Sequence, residues 1–196
     1  MKKNAYLSVD IEADGPSPYK NSMLSFGATL LTKDKKILSK WEWNLRPLEG
    51  HEADPKTMKE FWQKNAENKQ AYKYCTTNPL DPIKVFQKFA CILEEWQKEY
   101  KIVTVMWPSA YDWQWLNYYF AAAGVDNPLG FSAFCISTFI KSINPSKSIE
   151  WDEKFDASFN DPNYPHTHMP LDDALEQGMK FLNALHWHEK QKDEKK

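Results

Sequence analysis
The sequence predicts an α/β fold from three observations. An apolar run at residues 6–9 has strand character. Two further strand-like runs, residues 23–31 and 37–45, follow it on either side of a polar turn. From residue 102 onward, strand, helix and parallel-like strand alternate.

Taken in order, the first run ends in Asp10-Ile11-Glu12-Ala13-Asp14-Gly15, where an apolar strand gives way to acids. Thr32-Lys33-Asp34-Lys35-Lys36 is the turn between the second and third runs, so the chain opens as an antiparallel meander. Asp54-Pro55 supplies a cap and a proline at the first helical position, and Met58, Phe61 and Trp62 follow at helical spacing. A second helix begins after Asp81-Pro82 with an apolar stripe of Ile83, Phe86, Phe89, Ala90, Leu93 and Trp96. Residues 102–106 form a short buried strand, and the helix over 111–123 stops at Gly124. Within the tract 130–165 a short helix is expected over 137–142, followed by a turn-rich aromatic loop. The last helix starts near Pro170 and turns Leu171, Ala174, Leu175, Met179, Leu182 and Leu185 inward. Residues 1–188 thus form a single domain, and residues 189–196 form a charge-mixed tail expected to fray.

At 196 residues, with 42% hydrophobic and 15% aromatic content, the chain can bury one substantial core. Its net charge of −2 provides no global basic field, so contact with nucleic acid has to come from local lysines and bound cations. Cys75, Cys91 and Cys135 contain no close ligand pair and cannot all pair with one another, which argues against a zinc knuckle or a disulfide framework. A reducing, cytoplasmic setting is expected. With no signal-peptide core and no run long enough to span a bilayer, no membrane partner is expected.

The candidate chemistry lies in three segments. Asp10 and Glu12 stand at i and i+2, on one face of the first strand, with no neighbouring lysine or arginine to pair them. Asp112 closes Ser109-Ala110-Tyr111-Asp112, which matches a capping box, yet it also follows the end of a core strand. A cap and a ligand both remain open there. His168 precedes Asp173 in the first turn of the last helix, while its neighbour Asp172 is an ordinary partner of the helix dipole. Carboxylates gathered at one point repel one another, and their natural companions are divalent cations. Oxygen ligands suit Mg²⁺ or Mn²⁺ better than zinc. Two such ions can activate a water and neutralise the charge that builds on a phosphate. A loop histidine beside them has the pKa range of a general base.

Three motifs in order resemble the DEDDh family of 3′-to-5′ exonucleases, which includes ribonuclease T, oligoribonuclease and polymerase proofreading domains. Asp10-Ile11-Glu12 ends a first strand. Tyr111-Asp112 opens a helix, and His168-Met169-Pro170-Leu171-Asp172-Asp173 spaces the histidine so that Asp173, not Asp172, is the family aspartate. Pro108 departs from the asparagine that many members carry four residues before the second-motif aspartate. The resemblance implies a ribonuclease H-like fold, with a mixed five-stranded sheet flanked by helices. It further implies that Asp10, Glu12 and Asp173 hold one divalent cation, that Asp10 with Asp112 holds a second, and that His168 deprotonates the attacking water. Ala13 would meet the terminal sugar, and Met23 or Leu24 would wedge the last base unless they are sheet core. Tyr111, with Trp107, Trp113, Trp115, Tyr118 and Tyr119, would offer rings for stacking, although helical spacing puts most of these in the core. The implied activity is removal of nucleoside 5′-monophosphates from the 3′ end of single-stranded RNA or DNA. The alternatives are a catalytically silent binding module on the same fold and a two-metal endonuclease or nucleotide phosphohydrolase. Sequence alone selects neither RNA nor DNA, and neither monomer nor homodimer.

Overall fold
A computed structural model describes residues 2–146 and 150–194. Strands β1 (Lys3–Ala13), β2 (Met23–Thr32) and β3 (Ile37–Asn44) form the antiparallel meander. Strands β4 (Tyr100–Met106) and β5 (Phe134–Cys135) add in parallel on the other side of β1. The result is a mixed five-stranded sheet in the order β3-β2-β1-β4-β5.

The strand period of two divides β1 between two layers. Leu7, Val9 and Ile11 point into a core shared with α3 (Pro82–Glu99) and α4 (Ser109–Ala122), where Phe86, Phe89, Leu93, Trp115, Leu116 and Phe120 are buried. Tyr6 joins the opposite core, formed with α5 (Ile136–Ile143) and the long α7 (Pro170–Asp193). The sheet face under α7 has small side chains. Ser8, Ser25 and Thr29 are fully buried there, and a Cβ on Gly27 would stand 2.3 Å from the Pro170 carbonyl and the Leu171 nitrogen. Gly178 makes the matching approach from the helix, where an added Cβ would meet Leu31 at 2.6 Å and Ser8 at 3.0 Å. With these side chains absent or small, α7 lies directly on β1 and β2.

Beyond the sheet end, α1 (Pro55–Thr57) is capped by Asp54, which accepts from the Thr57 N–H at 2.7 Å. It continues into a π-helical turn, Met58–Trp62, and then into α2 (Ala66–Cys75). Trp62, Ala71 and Cys75 close over Leu24 in a small separate core. A last short helix, α6 (Glu153–Ala157), packs near α7 through Lys180, which reaches Asp156 at 2.8 Å.

The structure corrects two expectations. A capping box was open to the segment Ser109–Asp112, but Ser109 is already helical, Pro108 holds the cap position without a side-chain bond, and Asp112 points inward. The tail was expected to fray from residue 189, yet α7 runs to Asp193, held by Lys33–Glu189 at 2.6 Å and braced by Lys190–Glu194 at 3.9 Å. Lys195 and Lys196 lie outside the described residues. Among the described residues, no helix is long and apolar enough to cross a membrane.

Candidate active site
Strand β1 outruns its parallel neighbour. Pairing with β4 ends at Ser8↔Val105, while pairing with β2 continues through Asp10↔Gly27 and Glu12↔Ser25 to a bulge between Glu12 and Ala13. The far end of β1 therefore lines a notch on the β4 side, and α4, starting directly after β4, brings Asp112 to it. The even face of β1 that carries Asp10 and Glu12 also meets the first turn of α7, which carries Asp173.

Ligand oxygens of Asp10, Glu12 and Asp173 lie within 4.8 Å of one another. Asp10 and Glu12 are each 8% exposed, Asp112 2% and Asp173 1%. Burial raises the proton affinity of Asp10, Glu12 and Asp112 well above the ordinary carboxylate range, and mutual repulsion adds to it. Asp173 is the main charge acting on Asp10, and Asp10 is the main charge acting on Glu12 and Asp112. Asp173 is raised too, by burial, against the opposing pull of the Thr167 N–H, His166 and His168. No lysine or arginine pairs with any of the four carboxylates among the described residues; the buried Lys180 is taken by Asp156.

The remaining bonds orient these groups. Gln177 Nε2 donates to Asp10 Oδ1 at 2.6 Å. The Thr167 N–H donates to Asp173 Oδ1 at 2.7 Å and the Thr167 hydroxyl lies 3.3 Å from the same oxygen, so the carboxylate folds the 166–169 loop around itself. Asp112 Oδ2 and Asp173 Oδ2 are buried without a hydrogen-bond partner. Buried acceptors that receive no hydrogen bond, on carboxylates that repel their neighbours, are sites that a cation can satisfy.

His168 sits on that loop with φ of 57°, a left-handed conformation that a non-glycine residue holds only when its surroundings impose it. Its ring lies edge-on to Phe61 at 5.3 Å and to His166 at 4.7 Å. Burial, with His166 beside it, lowers its pKa below the ordinary histidine value, and Asp173 pulls in the other direction.

The residues expected to meet substrate have mixed surroundings. The Ala13 carbonyl accepts from Trp62 Nε1 at 2.9 Å. Met23 is fully buried in the sheet core, its N–H bound to the Tyr119 hydroxyl at 2.7 Å, and Leu24 is 3% exposed beneath Trp62. Tyr111 is half-buried, and its hydroxyl donates to the Gly15 carbonyl at 3.2 Å. Trp115 and Tyr119 are core, whereas Trp107, Trp113 and Tyr118 keep partly open surfaces. Sequence reasoning missed two residues at this site, Gln177 and His166. Gln177 stands four positions after Asp173, one helical turn along the same face, and that spacing was a usable signal. His166 forms a His-x-His pair with His168, and its Nδ1 lies 3.2 Å from Asp173 Oδ2 without completing a hydrogen bond.

No family model matches the chain. Over 141 residues, covering 69% of this chain and 67% of the relative, the sequence is 30% identical to the 3′-5′ DNA exonuclease Cap18 of Escherichia coli. The chain belongs to the DEDDh family of 3′-5′ exonucleases. This DEDDh exonuclease shares its fold with the nuclease domain of 3′hExo, a DEDDh family member described bound to rAMP, at a TM-score of 0.63 and 15% identity over 93% of this chain and 92% of that one. It also matches Escherichia coli Exonuclease I in complex with a dT13 oligonucleotide, at a TM-score of 0.65 and 10% identity. That match covers 92% of this chain and 41% of the Exonuclease I chain. Membership makes the protein a nuclease that acts on nucleic acid, and it implies divalent metal ions at the site.

Proposed function
We propose that this DEDDh exonuclease hydrolyses single-stranded DNA from a free 3′ end and releases nucleoside 5′-monophosphates. In this proposal Asp10, Glu12, Asp112 and Asp173 hold two divalent cations, Mg²⁺ or Mn²⁺, and His168 is the general base. The observation that carries it is the convergence of three buried carboxylates, Asp10, Glu12 and Asp173, with the buried Asp112 close enough to repel Asp10 and Glu12, and no basic side chain to neutralise them. Such a cluster is costly unless cations enter it. The donor set fits hard cations, since it is all oxygen and two of its buried oxygens accept no hydrogen bond. When bound, the ions would supply charge neutralisation at the scissile phosphate and a more acidic nucleophilic water.

The chain's own residues do the rest. Asp10 and Glu12 are fixed in direction by the strand, and Gln177 holds one Asp10 oxygen so that the other faces the notch. Asp112 is aimed by the first turn of α4. Asp173 ties down the loop that presents His168, which in its neutral form takes the proton of the attacking water and keeps it away from the carboxylates. Tyr111, hydrogen-bonded to Gly15, would hold the 14–22 loop and offer its ring beside the Ala13 backbone to the terminal nucleotide. For Met23 and Leu24 the burial supports packing beneath that position.

DNA as substrate is supported by the name of the relative, a DNA exonuclease, and by a neighbour described with an oligothymidylate. We further place the sheet and its helices, α7 included, in one catalytic domain and the protein in the cytoplasm, a setting that its three free cysteines fit. A homodimer has no support from these observations. The deciding experiment compares matched single-stranded DNA and RNA, each 5′-labelled, with 3′-blocked and circular forms as controls. Mononucleotide release from open DNA only, abolished by chelator, is expected. Equal cleavage of the circle would mean an endonuclease. No cleavage of any substrate with either metal would leave a binding module.

A further inference from the structure
We propose that His166, His168 and Asp173 form a second, transition-metal site that takes Zn²⁺ and, when filled, holds the enzyme inactive. The inhibitory half rests on the proposed function; the metal site itself does not. The observations are geometric. Ligand atoms of the three side chains lie within 4.8 Å of one another, and His166 Nδ1 stands 3.2 Å from Asp173 Oδ2. Around a tetrahedral zinc with bonds of about 2.0–2.1 Å, neighbouring ligand atoms stand about 3.3 Å apart, so this pair is already at site spacing. Asp173 Oδ2 is the independent pointer: the side chain is 1% exposed, and this oxygen has no hydrogen-bond partner while it faces the imidazole. His166 is largely exposed, so a ring rotation can complete the set and leave a fourth position to water.

The donor chemistry separates this site from the catalytic one. Two imidazoles and a carboxylate suit zinc and its neighbours, whereas Asp10, Glu12 and Asp112 offer only hard oxygen. The two sites meet at a single atom. Asp173 Oδ1 is committed to Thr167, so Oδ2 is the oxygen left for either ion. An ion bound to Oδ2 and the histidines also takes the imidazole lone pair that His168 needs as a base. Occupancy of the second site therefore competes with the catalytic arrangement on two residues at once. His166 lies outside the family motif, and this site would give it a role.

The test uses Co²⁺ and Zn²⁺ on the metal-free, full-length protein. Four-coordinate Co²⁺ absorbs strongly in the visible and octahedral Co²⁺ only weakly, so the geometry can be read without any turnover. The wild type should show the strong band, His166→Ala should lose it, and Glu12→Gln should keep it. In parallel, Zn²⁺ is titrated into Mg²⁺-supported hydrolysis by the wild type and His166→Ala, each compared with its own uninhibited rate. His166→Ala should raise the half-inhibiting Zn²⁺ concentration by about tenfold or more, as expected for loss of one of three ligands. A strong band that survives in His166→Ala, or disappears in Glu12→Gln, places the ion among the carboxylates and overturns the proposal. So does a wild type with no strong band, or zinc inhibition unchanged by His166→Ala. If the band behaves as expected but no substrate is cleaved, the metal site stands and the proposed function is what fails.

Discussion
In the proposed function, Asp10 would serve chemistry at the expense of the fold. Its carboxyl, like those of Glu12 and Asp112, holds its proton more tightly in the folded protein than in the unfolded chain. Groups shifted upward contribute stability that is complete below the ordinary carboxylate pKa of about 4 and is lost as pH rises through the raised values. His168 is shifted downward and acts in the opposite direction, adding a penalty as pH falls below about 6.5. Three acids are shifted upward against one base shifted downward, so the metal-free protein should lose stability as pH rises above the ordinary carboxylate range. Asp10→Asn should abolish hydrolysis and yet raise the metal-free melting temperature at pH 8. One pKa unit is worth about 1.4 kcal/mol, and at this chain length 1 kcal/mol moves the melting point by roughly 2–4 °C. Calorimetry in chelator checks it, and an unchanged or lower melting point would contradict the strain assigned to this cluster. His168→Ala should slow the chemical step by about two to four powers of ten with little change in stability. In the wild type, the acid limb of the rate profile should lie below the ordinary histidine pKa, because burial keeps the imidazole neutral to lower pH. The same limb should be absent from the variant's single-turnover profile.

At the scale of elements, α6 and α7 are joined by a buried clasp. Lys180 bonds Asp156 at 2.8 Å and lies 4.3 Å above the Trp107 ring. Lys180→Met would strand the carboxylate of Asp156, whose Oδ1 already lacks a partner, and should cost about 3–5 kcal/mol in urea unfolding. Asp156→Asn in the Lys180→Met background should recover part of that loss. Strands β1 and β2 were legible as apolar runs, being buried on both faces, and helices α3 and α7 because each has an apolar stripe. Helix α2 was not, since Ala66–Cys75 is mostly polar and buries only Asn68, Ala71 and Cys75. Helix α6 is five residues long and lies inside a turn-rich tract. The site divides in the same way. Asp10, Glu12, Asp112 and Asp173 were legible because each stands at the end of a readable element, while the pull of His166 on Asp173 exists only once the loop has folded. Of the adjacent pair, Asp173 is buried and Asp172 is exposed.

For the molecule as a whole, the uncompensated acidic notch should tie stability to divalent cations. An ion that binds only the native protein, present at a hundred times its dissociation constant, adds about 2.7 kcal/mol, or roughly 5–10 °C for a domain of this size. Thermal unfolding with Mn²⁺ should show that rise, chelator should reverse it, and Asp10→Asn should lose most of it; a flat response would argue against the assigned ligands. Gly27 stands opposite Asp10 in the ladder and beneath the first residues of α7, with no room for a methyl group. In a selection for nuclease function, even alanine at Gly27 should be purged as strictly as a lost carboxylate. Deep mutational scanning would thus flag as essential a position that never touches the nucleic acid, because its intolerance measures how closely helix and strand must be held for Asp173 to reach Asp10.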